Sequence, residues 1–182
     1  MKYGRIILIV IIVIVSIVIF ETFLHRHHSI NNQITSKLKA YNNHFQEVLY
    51  SQFVDDKILS FYRVNSAELA FGVFEDRASG LKLISGSGNA ALVSEDALTW
   101  AAIGSANGEL SLIYGSVLDP QITQVIVLSE ASKAATIVES KGIKLWFLKL
   151  DAHPQSPVTI RAMNPEGAIV YEYGDPDFWG VK

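Results

Sequence analysis

Three patterns of hydrophobic and polar positions follow one another along the chain. Residues 6–20 are almost continuously apolar, since 14 of the 15 side chains are apolar and the other is Ser16. From residue 34 to residue 53, apolar residues recur at steps of three and four, which is the period of one helix face. After Asp56, short apolar runs alternate with turn residues, which is typical of strands. The sequence therefore predicts an apolar segment, an amphipathic helix and a β-domain.

The apolar run between Ile6 and Phe20 is predicted to be a retained transmembrane anchor. A cleavable signal peptide needs small residues in an A-x-A-like pattern after its core, and residues 21–28 contain none. Fifteen residues rise about 22 Å against a hydrocarbon layer of ~30 Å, so we extend the predicted span to Leu24. Lys2 and Arg5 precede it, which predicts a cytoplasmic N-terminus and an exported C-terminal domain. A buried strand or core helix is the alternative, which the basic start of the chain disfavours.

The amphipathic pattern is predicted to be a helix over residues 34–53, within a juxtamembrane segment of residues 25–56. Thr35 or Ser36 would cap its start. A coiled-coil stalk or a partner helix is one interpretation, and packing against the chain's own domain is the other. Because a coiled coil needs three or more heptads and this stretch has fewer, we favour packing on the domain.

The remaining residues, 57–182, are predicted to form one extracytoplasmic β-domain. About ten short strands at regular spacing predict a mainly β fold, an antiparallel sandwich or barrel. Residues 104–109 are a candidate boundary, here called the seam, between two packed units of this domain. The C-terminal part is predicted to be immunoglobulin-like, although only about six strands are visible in residues 110–174 and an immunoglobulin domain has seven. The predicted strands are 57–64, 68–75, 81–85, 97–103, 110–117, 124–128, 134–139, 143–150, 157–163 and 168–173.

Composition and charge exclude several classes of protein. The chain has 182 residues, 49% of them hydrophobic, so it is not disordered, and one long apolar run excludes a multi-span transporter. It has no cysteine, which excludes disulfides, thiolate metal sites and a lipid-modified N-terminal cysteine. A net charge of −3 argues against nucleic-acid binding, which needs a basic stripe.

Few residue patterns point to catalysis or metal binding. His25, His27 and His28 could bind a metal, but a juxtamembrane patch at the membrane surface explains them as well. Asp151, His153 and Ser156 would need to converge to act as a hydrolase, and no G-x-S-x-G motif is present. We predict a non-catalytic protein with no cofactor and no metal site.

Two further patterns are predicted to be turns. The run Gly86-Ser87-Gly88 is too short to be a phosphate-binding loop, and we predict a turn or loop there. The acid pairs Asp55-Asp56 and Glu75-Asp76 lack the alternating spacing of a calcium loop, and adjacent acids at strand ends are typical of solvated turns.

The tryptophans Trp100, Trp146 and Trp179 are the candidate ligand-binding residues. An exposed indole could stack on the sugars of a cell wall. Core packing is the alternative for Trp100 and Trp146, while Trp179 lies in a C-terminal tail that could cap a sheet edge or dock a partner.

Three runs resemble a known group of proteins. They are Tyr114-Gly-Ser-Val-Leu-Asp-Pro-Gln-Ile-Thr-Gln-Val-Ile-Val127, Ala135-Thr-Ile-Val-Glu-Ser-Lys-Gly-Ile-Lys-Leu-Trp-Phe147 and Pro157-Val-Thr-Ile-Arg-Ala-Met-Asn-Pro-Glu-Gly-Ala-Ile-Val-Tyr171. Residues 57–174 are similar to uncharacterised membrane-anchored or lipoprotein-type extracytoplasmic β-domain proteins of Bacillus and related Gram-positive bacteria. The resemblance implies a small β-domain outside the membrane and no catalytic residues. Lipoprotein members would use a cysteine that this chain lacks, so its anchor would be the peptide segment itself.

The sequence thus predicts a single-pass protein of the cell membrane. Its expected partners are the lipid bilayer, through the N-terminal helix, and another envelope protein or a wall polymer. The first hypothesis is a non-catalytic interaction module in the cell envelope. The alternative is a binding domain for wall glycan or a small ligand, and a hydrolase comes third.

Overall fold

The fold is mainly β, as predicted, and begins with one long helix. The structure, a computed structural model, describes residues 2–104, 110–128, 132–151, 157–175 and 178, with the backbone alone at residues 2–10, 19–29 and 87. Helix α1 spans Lys2–Tyr41. The strands found among the described residues are β1 Phe45–Val54, β2 Lys57–Val64, β3 Glu68–Arg77, β4 Gly80–Ala91, β5 Ala101–Gly104, β6 Ser111–Ser116, β7 Gln124–Leu128, β8 Lys133–Ala134, β9 Thr136–Ser140, β10 Ile143–Leu150, β11 Thr159–Met163 and β12 Ile169–Tyr173.

The strands form three antiparallel sheets of four strands each. Sheet 1 has the order β1-β2-β3-β4, sheet 2 the order β5-β6-β10-β9, and sheet 3 the order β12-β11-β7-β8. Sheet 1 is a meander of consecutive hairpins. The strands of sheets 2 and 3 alternate in pairs along the C-terminal half of the chain. Strands β5 and β6 belong to sheet 2, β7 and β8 to sheet 3, β9 and β10 to sheet 2, and β11 and β12 to sheet 3. The two halves of each sheet are therefore connected through strands of the other sheet.

Sheet 1 is covered on both faces, because its side chains alternate between two clusters. On strand β2, Ile58 and Tyr62 pack with Ile34 and Leu38 of α1. The neighbours Leu59 and Phe61 point the other way and pack on sheet 2. The last turns of α1 are therefore one outer layer of the domain.

Sheet 2 is the central layer. One face of β6 and β10 meets sheet 1 through Tyr114 and Phe147. The opposite face meets sheet 3 through Ile113 and Trp146. All six residues of β6 are buried. The order of layers is helix, sheet 1, sheet 2 and sheet 3.

The predicted helix over residues 34–53 is wrong beyond Tyr41. Asn42 ends the helix, since its carboxamide oxygen accepts a hydrogen bond from His44 N at 2.9 Å and its carbonyl accepts one from Phe45 N at 3.1 Å. This turn reverses the chain into β1. The pattern was misleading because β1 contains two register shifts, each with one extra residue. They put Phe45 and Val48, three residues apart, in the same cluster against α1.

Other predicted boundaries differ in smaller ways. Residues 86–88 were predicted to be a turn or loop, but they lie within β4, which bulges opposite Leu69–Phe71. The strand predicted at residues 134–139 is divided into β8 and β9. The seam considered at residues 104–109 falls between β5 and β6, which pair with each other, and residues 105–109 lie outside the described ones.

Candidate functional site

An exposed apolar stretch of α1 is the first candidate site. Seven of the residues between Ile11 and Val18 are large aliphatic side chains, and each is 49% to 56% exposed. Eight consecutive residues cover the whole circumference of a helix, so the stretch is apolar on every side. Ile6 and Phe20, the ends of the predicted anchor, lie on α1, but their side chains are outside the described ones. Among the described residues, no helix combines the length and apolarity that a membrane span requires.

The same helix continues into the domain without a break. From Val18 to Ile30, where packing on sheet 1 begins, it rises about 18 Å. Gln33 Oε1 accepts a hydrogen bond from Leu81 N at 2.9 Å, and the Tyr41 hydroxyl donates one to the carbonyl of Gly86 at 2.5 Å. These bonds and the apolar contacts fix the last turns of α1 along sheet 1.

The direction of α1 defines two ends of the domain. The β3–β4 turn lies beside Gln33, toward the N-terminal part of the helix. The β2–β3 turn lies beyond the end of the helix, where Asn65 N donates to His44 O at 3.1 Å. One end of sheet 1 therefore faces the exposed apolar stretch and the other faces away from it.

The three candidate tryptophans are placed differently. Trp146 is fully buried between sheets 2 and 3, and its Nε1 donates to Thr99 O at 3.0 Å, so neither face of its ring is open to a ligand. Trp179 lies outside the described residues. Trp100 is half-buried beside the same core cluster.

Trp100 belongs to an aromatic cluster that the sequence did not predict. Its ring centroid lies 4.7 Å from that of Tyr173 on the edge strand β12, with the rings tilted by 59°. Tyr171, two residues earlier on the same face, contributes a second phenol. Burial raises the pKa of Tyr171, nearby Asp96 and Tyr173 raise it further, and a hydrogen bond with Trp100 opposes them. The only sequence signal is the alternation of Tyr171 and Tyr173, which places both on one face but names no partner.

The acidic candidates lie in ion pairs or turns. Asp151 pairs with Lys133 at 2.7 Å, and this hydrogen bond lowers the pKa of the Asp151 carboxyl. His153 and Ser156, the other members of the predicted hydrolase set, are outside the described residues. Asp55, in the β1–β2 turn, pairs with Lys149, and Glu75 accepts a hydrogen bond from Arg77.

The described residues form open grooves beside α1 but no cluster of metal ligands. No group of three or more His, Asp or Glu side chains in the described region could hold a metal ion. His25, His27 and His28 lie on α1, where the side chains are not described. Two grooves flank the last turns of α1, one of about 550 Å³ along β1 and one of about 460 Å³ along β4.

In comparisons with known proteins, no family model, curated protein or solved structure matches this chain.

Proposed function

We propose that this chain is a single-pass, membrane-anchored protein that holds a β-domain outside the cell membrane as a non-catalytic interaction module. The observation that carries the proposal is the exposed apolar stretch Ile11–Val18, continuous with a helix that packs on the domain. An exposed apolar surface of this extent needs a cover, and a helix that is apolar all round suits lipid. Lys2 and Arg5 before the run support a cytoplasmic N-terminus.

The described titratable groups support an interaction module more than an enzyme. The two carboxyl groups with lowered pKa values, Glu47 and Asp151, lie in separate surface ion pairs, with Lys141 and with Lys133. The other groups with shifted pKa values are phenols, whose pKa is raised mainly by burial: Tyr62, Tyr114 and Tyr171. An active site would gather such groups in one cleft. The partner we infer is another envelope protein or a wall polymer.

We also infer that the C-terminal part is immunoglobulin-like. Sheets 2 and 3 are antiparallel and share a core in which Trp146 is buried. A buried tryptophan between two packed sheets is typical of immunoglobulin domains.

Cell fractionation tests the anchor. The full chain, tagged at its C-terminus, should stay in the membrane fraction after a carbonate wash, and protease added to intact cells stripped of wall should remove the tag. Ile11→Arg with Val15→Arg should release the protein, since each central charge disfavours insertion by about 2.5–3.5 kcal/mol. Asn32→Arg with Ser36→Arg is the matched control, because both residues are exposed on the same helix at the same spacing. Wild-type protein in the soluble fraction, or a protected tag, would overturn the proposal.

A further inference from the structure

We propose that the aromatic cluster of Trp100, Tyr171 and Tyr173, with the carboxylate of Asp96, binds a neutral chain of pyranose sugars. The inference deepens the proposed function, because an exported domain would meet the glycans of the envelope. It names the class of polymer that this domain binds and the residues that do it.

The cluster lies at an open margin of the domain. Strand β12 pairs with β11 on one side and is the first strand of sheet 3. Tyr173 is 45% exposed there, while Trp100 and Tyr171 are half-buried against the shared core of sheets 2 and 3. The rings are thus held by packing on one side and reachable by solvent on the other. Side chains held in this way lose little conformational freedom when a ligand binds.

The chemistry of the cluster suits a sugar ring. An aromatic ring is negative on its face, and the C–H bonds on one side of a pyranose are weakly positive and apolar. A sugar also presents hydroxyl donors at its rim, which need acceptors. Asp96 is exposed, and the hydroxyl of Ser94 approaches its Oδ2 at only 3.4 Å. A carboxylate accepts about four hydrogen bonds, so Asp96 keeps capacity for hydroxyl or amide donors of a ligand.

Charge favours a neutral polymer over an acidic one. Asp96 is exposed four residues before Trp100, and the whole chain carries a net charge of −3. An anionic polymer would bring its own negative charges close to the Asp96 carboxylate, and like charges at short distance repel each other. Neutral amino-sugar chains and plain glucans share the required chemistry.

Calorimetric titration of the full chain in detergent micelles tests the inference. The probes are chitotetraose, cellotetraose and a tetramer of uronic acid. We expect at least one neutral tetramer to bind at millimolar or lower concentration and the uronic acid tetramer not to bind. Binding of chitotetraose alone would identify amino-sugar chains, and equal binding of both neutral tetramers would identify pyranose chains in general. No binding of either, or equal binding of the acidic tetramer, would overturn the inference.

Variants assign the binding to the cluster. Tyr173→Ala should raise the Kd about tenfold, as expected for loss of a stacking ring. Asp96→Asn removes the charge and should weaken binding by a smaller factor without touching the core. Phe53→Ala is the control, since Phe53 is 66% exposed on sheet 1. Both variants binding like the wild type, with unchanged circular dichroism, would overturn the assignment. A failure here leaves the anchor untouched, because fractionation tests that separately.

Discussion

Two segments that carry large apolar side chains have opposite environments in this molecule. The seven aliphatic residues between Ile11 and Val18 of α1 are each about half exposed. The residues Ser111–Ser116 of β6 are all buried. Strand β6 is covered by sheets 1 and 3 of its own chain, whereas the aliphatic residues of the helical stretch stay about half exposed. The difference teaches that apolar content sets a need for burial but does not say what meets it. For β6 the domain meets it, and for α1 we propose that lipid does.

The largest expected effect comes from the buried core around β6, in which Trp146 of the neighbouring strand β10 pairs with Gly115. Trp146→Ala should lower the free energy of unfolding by about 3–5 kcal/mol, because it empties a fully buried site between two sheets and removes the hydrogen bond to Thr99. Urea unfolding of the full chain in detergent, followed by circular dichroism, measures it. Ile14→Ala, in the exposed stretch, should change the domain by less than about 0.5 kcal/mol. If Trp146→Ala and Ile14→Ala lowered the free energy of unfolding equally, the difference between the buried core and the exposed helical stretch would be refuted.

The next largest effect on the free energy of unfolding is expected at the end of α1 that packs on sheet 1. Leu38→Ala should cost about 2–4 kcal/mol in the same experiment, because Leu38 is fully buried and its Cδ2 would lie 2.8 Å from a Cβ built on Gly72. Sheet 1 has no side chain at Gly72 to fill the space left behind. Lys39→Ala, on the exposed side of the helix, is the neighbouring control. An unchanged midpoint for Leu38→Ala would mean that α1 is not part of the domain's cooperative unit.

Most strands after residue 56 were predictable from the sequence, and the contacts between them were not. Residues 57–64, 124–128 and 143–150 match β2, β7 and β10 because alternation and turn residues are local signals. Strand β1 was missed because its two bulges give a helix-like spacing, and bulges depend on the partner strand. The pair Asn42-Asn43 is the sequence signal for the turn that ends α1 before β1, since asparagine favours turns.

The candidate sites were less predictable than the fold. A continuous apolar run is visible without a structure, so the anchor prediction depends on sequence alone. Among the tryptophans, only the layer order shows that Trp146 lies between two sheets while Trp100 reaches the margin. The pairing of Trp100 with Tyr173 joins residues 73 positions apart, which no local pattern indicates. Long-range contacts of this kind follow from packing, not from periodicity.

The buried hydroxyl of Tyr114 on β6 should make the stability of the domain depend on pH in the alkaline range. Tyr114 is fully buried on β6, and burial raises the pKa of its phenol far above the ordinary value. Because the unfolded phenol ionises first, its contribution to stability is complete below pH ~10 and is lost above it, by at most ~1.4 kcal/mol per pH unit. Tyr114→Phe should therefore flatten the decline in stability between pH 10 and 12.

At neutral pH the same variant should change stability by less than about 1 kcal/mol, since the Tyr114 hydroxyl has no hydrogen-bond partner within the described part of the chain. Unfolding midpoints from pH 7 to pH 12 measure both effects. Tyr50→Phe, which alters a half-buried phenol bonded to Gln52, is the control. A decline as steep in Tyr114→Phe as in the wild type would assign the alkaline sensitivity to other groups.

The smallest effect concerns the contact that ties sheet 1 to sheet 2 at their far end. Lys141 Nζ donates to Glu47 Oε2 at 2.9 Å and to Val48 O at 2.6 Å, next to a bulge of β1. Lys141→Met keeps the aliphatic part of the side chain and removes the ammonium group, so we expect the free energy of unfolding to fall by less than about 1 kcal/mol at pH 7.

The same contact makes stability depend on pH. The hydrogen bond from Lys141 lowers the pKa of the Glu47 carboxyl from its ordinary value of 4.5. A lowered folded pKa stabilises the protein above the unfolded value and ceases to do so as pH falls through the folded value. The difference between wild type and Lys141→Met should thus shrink below pH ~4.5 and in high salt. A difference that stayed constant with pH would attribute the contact to the Val48 carbonyl alone.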